Sequence, residues 1–194
     1  MLDAIALYRR AVEEFGSRVR AIGDDQWHLP TPNTDWDVSD LVNHLVFEDV
    51  WAPPLLAGQT IAEVGDRFEG DLLGDDPKAA WEAAARAAVA AVDEEGALAR
   101  TVHISFGDVP GAEYVAQLTV DHTIHAWDLA RAIGADEELD PELVEAAYGI
   151  VAPQAEAWRQ GGAFGPQVEL PPGASRQDQL LALTGRSPGP AQAP

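Results

Sequence analysis

Five histidines and no cysteine frame the chemistry open to this chain. Without thiols there is no cysteine nucleophile, no thiolate metal ligand and no disulfide. Imidazoles and carboxylates must therefore do the work, and three of them stand out by position. Asp121 and His125 are four residues apart, so on a helix both side chains leave one face about a turn apart. His44 sits in the run Leu41-Val42-Asn43-His44-Leu45, on an apolar stripe. A face that buries a carboxylate beside an imidazole needs a compensating partner, because an unpaired buried charge is costly. A divalent cation is such a partner. Helix bundles build metal sites from paired ligands on one helix and a further ligand on a neighbour. Three protein ligands also leave positions open for water or substrate. The spacing thus points to a metal site of His44, Asp121 and His125. By spacing alone, an exposed acid–histidine salt bridge or a core histidine with one hydrogen bond accounts for the same residues.

Other side chains fall around these three. Glu48 follows His44 by one turn and could orient it, add a fourth ligand or move protons; the catalytic role assigned to it is proton transfer. His122 precedes His125 by three residues but points about 100° away from Asp121 on an ideal helix. It is the weaker ligand candidate and is placed in the substrate pocket or an interface. Trp51 and Trp127 lie near the ligands in sequence and are expected to line the same pocket. Asp128 either accepts a hydrogen bond from a ligating imidazole or pairs with Arg131. Two imidazoles and a carboxylate suit zinc, which is placed first, and also nickel, iron or manganese. The sequence holds no glycine-rich phosphate loop, no nucleophile elbow and no zinc-protease helix signature.

Amphipathic helices must position these groups. Ile5, Tyr8, Val12, Phe15, Val19 and Ile22 step by threes and fours, predicting a first helix over Asp3–Ile22. A second starts near Val38 behind the N-cap Asp37, with Pro53-Pro54 expected to kink or end it. A long connection over 58–76 leads to a third helix from Pro77, capped by Asp76 and reaching about Glu95. Thr101–Phe106 alternates and reads as a short extended piece, with Gly107–Gly111 as a turn. The fourth helix is expected over Ala112–Ile133, stopped by Gly134. A fifth follows Asp140-Pro141 and runs to about Arg159. A short helical piece near Asp178–Leu183 precedes a tail expected to be disordered. The pattern predicts an all-α, four-helix bundle with an additional C-terminal helix and an irregular tail, one domain over 1–186 followed by 187–194.

Composition narrows the partners. The 194 residues carry a net charge of −21, from 12 basic and 33 acidic side chains. Such a chain repels phosphate backbones and anionic membranes, so neither nucleic acid nor membrane is an expected partner. No apolar run approaches the ~20 residues of a membrane span. The N-terminus lacks the basic and apolar regions of a signal peptide, so a cytoplasmic protein is expected.

Two stretches carry a resemblance: Pro30-Thr31-Pro32-Asn33-Thr34-Asp35-Trp36-Asp37-Val38-Ser39-Asp40-Leu41-Val42-Asn43-His44 and His125-Ala126-Trp127-Asp128-Leu129-Ala130-Arg131-Ala132-Ile133-Gly134. With Phe164-Gly165-Pro166 and Gln179–Arg186, they resemble the actinobacterial DinB-like proteins, a group related to the N-terminal domain of mycothiol-dependent maleylpyruvate isomerase. The resemblance spans nearly the whole chain and implies a four-helix core, often a homodimer, with a divalent metal near one end. His44, Asp121 and His125 match the ligand positions of the family motifs. In relatives the metal activates a thiol, typically mycothiol, and coordination lowers a thiol's pKa. Three departures set this chain apart. The acid is Asp121 where the isomerase resembles a glutamate version. Asn33 stands in a loop where relatives often carry cysteine. The isomerase is expected to continue into a C-terminal domain that this chain lacks, so maleylpyruvate isomerisation itself is not expected.

The reading that follows is a metal-dependent, mycothiol-using transferase or isomerase acting on a small electrophilic molecule. Its rivals are a metal-dependent hydrolase at the same site and a non-catalytic module that binds a small molecule or metal.

Overall fold

The computed structural model of the protein describes residues 3–33 and 35–189. Helix α1 (Ala4–Ala21) begins at Asp3, whose side chain accepts from the Ile5 amide, and buries Tyr8, Val12, Phe15 and Val19 along one face. Helix α2 (Val38–Leu56) opens on a capping box between Asp37 and Asp40. Pro53 and Pro54 do not end it, because they sit in its last turn. Their carbonyls still accept from Ala57 and Gln59 there, and the lost donors fall where the helix is closing. The connection that follows holds one turn of helix, α3 (Ile61–Val64), with its own Thr60–Glu63 capping box. Helix α4 (Pro77–Val92) is capped by Asp76 and buries a file of small side chains, Ala84, Ala88 and Ala91.

A hairpin stands where the sequence pattern suggests an extended piece and a turn. β1 (Thr101–Ile104) pairs antiparallel with β2 (Gly107–Pro110), Val102 opposite Val109. The reversal falls at Ser105-Phe106, earlier than the glycine and proline spacing suggests. Gly107, at φ 122°, takes the conformation that closes it.

β2 runs directly into α5 (Gly111–Ile133). Gly111 is required at that corner, since its amide donates to the Arg100 carbonyl at 2.7 Å and a Cβ would meet the Ala97 carbonyl oxygen at 2.1 Å. Gly134 ends α5 in the left-handed conformation. The single helix expected up to Arg159 is two, α6 (Pro141–Val151) and α7 (Ala155–Gln160). Pro153 lacks the amide that would continue the first into the second. Helix α8 (Arg176–Leu183) follows a third capping box, Ser175–Asp178.

The packing is a closed ring of four helices: α1 on α5, α5 on α2, α2 on α4 and α4 on α1. This is an all-α, DinB-like bundle, with α6 laid on α5 and α8 on α6. Among the described residues no helix is long and apolar enough to cross a membrane. In the expected tail, the Ser187 carbonyl accepts from Arg131 at 2.8 Å, while 190–194 lie outside the described residues.

Candidate metal centre and its cavity

The ring of helices brings the three expected ligands together. α2 supplies His44 and α5 supplies Asp121 and His125. One donor atom from each lies within 4.8 Å of the others. His44 Nε2 is 3.1 Å from Asp121 Oδ2, and His125 Nε2 is 3.4 Å from Asp121 Oδ1. The two imidazoles meet edge to face with ring centres 5.2 Å apart, and Trp36 covers both, 4.8 Å from His44 and 5.9 Å from His125. His44 and Asp121 are half-buried and His125 is buried.

Hydrogen bonds behind His125 fix its orientation. Its Nδ1 lies 2.9 Å from Asp128 Oδ2, so Nδ1 carries the proton and Nε2 faces Asp121. Asp128 is fully buried and receives Arg186 from the turn after α8, with Nη2 at 2.8 Å from Oδ2 and Nε at 3.3 Å from Oδ1. Its partner is Arg186; Arg131 pairs with Glu137 and lies over the Trp127 ring.

Charge accumulates here in a characteristic way. Burial pushes the Asp121 carboxyl up, but His125 and His44 outweigh it and hold it well below the usual carboxylate range. Burial also works against a charged His125, yet Asp121 and Asp128 on either side raise it to about 9. In the ion-free protein a proton therefore occupies the position where His125 would offer a lone pair. The donor set fits a divalent cation: two imidazole nitrogens and a carboxylate oxygen, clustered, with one imidazole already steered by a buried carboxylate.

The three groups line a cavity of about 540 Å³. Glu48 lines it too, and burial together with Asp121 raises its carboxyl to about 7. Hydrophobic side chains form most of the remaining wall, drawn from the hairpin, from α5 and from α7 with the loop after it. The other three expected pocket residues lie elsewhere. Trp51 packs between Phe47 and Phe68, and Trp127 is buried under Arg131. His122 is fully buried and turned off the ligand face of α5 into the core, between Tyr8, Phe15 and Trp81. Its Nδ1 donates to the Leu118 carbonyl at 2.8 Å, and its Nε2 is 3.3 Å from buried Asp49, which also accepts from Tyr8 at 2.9 Å. The one-residue offset from Asp121 that turns His122 off the ligand face also turns it into the core.

Sequence reasoning missed Arg186 and Trp36. Arg186 belongs to the Thr184-Gly185-Arg186 end of the resemblance, which was a signal without a role. Trp36 lies in the Asp35-Trp36-Asp37 run just ahead of α2, where an isolated bridge between Pro30 and Asp37 folds the loop back beside it.

Comparison with known proteins places the chain in a family. The model of the mycothiol maleylpyruvate isomerase N-terminal domain matches residues 8–130, which include all three clustered groups. Two proteins of Mycobacterium tuberculosis, the uncharacterized proteins MT0763 and Rv0738, are each 31% identical to the chain, covering 96% of it and 99% of their own length. The crystal structure of the mycothiol-dependent maleylpyruvate isomerase superposes with a TM-score of 0.70 at 16% identity, over 98% of this chain and 93% of that one. The superposition corrects the expectation that the isomerase chain extends a domain beyond this one: their folds run together almost from end to end. On the family match and the relatives taken together, the chain belongs to the mycothiol maleylpyruvate isomerase N-terminal domain family.

Proposed function

We propose that the protein is a divalent-metal-dependent transferase or isomerase that uses mycothiol as co-substrate and acts on a small electrophilic molecule. The observation that carries the reading is the convergence of His44, Asp121 and His125 at the wall of a cavity large enough for a small molecule. Zinc is the first choice of cation, with nickel, iron and manganese as alternatives for the same ligands. Held by these three residues, the cation supplies the positive charge that favours a thiolate over a thiol.

The chain's own residues do the rest. Asp128 and Arg186 lock the His125 ring, so that Nε2 stays aimed at Asp121 without a search over rotamers. Trp36 packs against both imidazoles. Glu48, poised near neutrality on the cavity wall, is suited to take up a proton from an incoming thiol and return it to the product.

The test is turnover of an electrophile by metal-replete protein with and without mycothiol. The proposal expects consumption that needs both metal and thiol, and a loss of about 10²-fold or more in Glu48→Gln. Hydrolysis of esters or amides without thiol would overturn it in favour of a hydrolase. Binding without turnover would overturn it in favour of a non-catalytic module.

A further inference from the structure

Two kinds of side chain line the cavity. The ligand residues and Glu48 are the first. Beyond them the wall is Ile104 and Val109 of the hairpin, Leu118 and Ile124 of α5, and the Trp158–Phe164 pair, whose ring centres are 5.4 Å apart. The other polar groups on the wall are few, and none is a free cation. Glu113 is an acid, Gln117 an amide and Tyr114 a buried hydroxyl without a partner among the described residues, while Arg186, beside the ligand residues, is already held by Asp128 and by the Thr184 carbonyl. A second negative group on a substrate would therefore leave water for apolar side chains and a carboxylate, with no basic partner released to meet it. The chain's charge of −21 opposes its approach as well.

The geometry points to an uncharged, mainly hydrophobic or aromatic electrophile, its reactive atom at the His44–Asp121–His125 end and its apolar body along the Trp158–Phe164 side. This names the substrate class of the proposed reaction and rests on that reading for the word electrophile; the binding preference rests on the cavity walls alone. It also divides the two substrates. The apolar wall suits the electrophile, and the thiol's sulfur belongs at the ligand residues. Apolar contacts fix little more than shape, so several molecules of similar size are expected to bind, with charge as the sharp discriminator.

The experiment uses two dyes of nearly one shape that differ by a charge. N-phenyl-1-naphthylamine is neutral, and 8-anilino-1-naphthalenesulfonate adds a sulfonate. Each is titrated into the full chain by fluorescence, once free of metal and once loaded with zinc. The neutral dye is expected to bind with micromolar Kd in both forms, and the sulfonate at least tenfold more weakly. Ala163→Trp, which places a large side chain at the exposed rim of the cavity, is expected to weaken the neutral dye at least tenfold while leaving the melting temperature within about 2 °C. Equal or tighter binding of the sulfonate overturns the inference. So does absence of neutral-dye binding to wild type, or binding that ignores Ala163→Trp in a folded variant. Failure of the metal or thiol reading would show separately, as protein that takes up no zinc or turns over without thiol while dye binding is unchanged.

Discussion

Arg186 and Asp128 lie 58 residues apart in the chain, yet the guanidinium meets the buried carboxylate through two nitrogens, at 2.8 and 3.3 Å. Asp128 in turn holds His125 Nδ1 at 2.9 Å, so the segment after α8 is coupled to the proposed metal ligand through one residue. Asp128→Asn removes the charge and keeps the shape. It should weaken metal binding by about 10–100-fold, measured by competition with a chelating dye. Unchanged affinity would show that the His125 ring is steered by packing alone.

Gly185 lets Arg186 reach that position. It has φ +86°, and a Cβ there would come within 2.8 Å of the Gly165 Cα. Gly185→Ala therefore combines left-handed strain with a backbone clash and should cost about 1–3 kcal/mol. Thermal unfolding would show the loss, and metal affinity should fall with it as Arg186 is displaced. A variant as stable as wild type would mean that the two loops separate without consequence.

Metal binding should depend on pH in a defined direction. His125 is raised to about 9 in the ion-free protein, so below that pH a cation must displace its proton. Apparent affinity should rise by about tenfold per pH unit from 6 to 8 and flatten near 9. The same shift sets the sign for stability without metal. The charged His125 stabilises the fold fully below its ordinary value of 6.5, and that contribution disappears as pH rises through about 9. Affinity that is level between pH 6 and 8 would contradict this assignment.

Asp49 and His122 make a second buried polar pair, tied to α1 through the Tyr8 hydroxyl. Burial disfavours the imidazolium, but Asp49 outweighs it and raises His122 above its ordinary value. Asp49→Ala removes one partner and leaves the other uncompensated, at a cost of about 3–5 kcal/mol. Urea unfolding would measure it. A loss under 1 kcal/mol would mean that the pair contributes little.

Much of the bundle was legible because its helices advertise their ends. Asp37 and Asp76 each cap a helix as the turn chemistry suggests, and Gly134 closes α5. Local signals failed where tertiary context decides. Pro53-Pro54 reads as a break, but in a final turn it removes little. Gly107–Pro110 has the composition of a turn, yet pairs as a strand because the reversal is made by the residues before it. Pro153, a single proline inside the span expected as one helix, divides α6 from α7.

The candidate site divides in the same way. Asp121 and His125 are neighbours by helical geometry, and His44 shares their end of the bundle through the packing of α2 on α5. Arg186, Trp36 and the cavity walls come from segments distant in sequence, and no periodicity links them. Placing Trp51 and Trp127 by nearness in sequence ignored the direction in which their helix positions face. His122 shows how much one residue of offset changes: beside Asp121 in the chain, it looks into the core and meets Asp49.

The most direct measurement is elemental analysis of the purified full chain beside His125→Ala, both checked for a native circular dichroism spectrum. The central claim predicts close to one divalent ion per wild-type chain and a drop of at least about tenfold in the variant, since one of three ligands is gone. Equal metal content in the two folded proteins, or none in wild type after incubation with zinc, nickel, iron and manganese in turn, would contradict it.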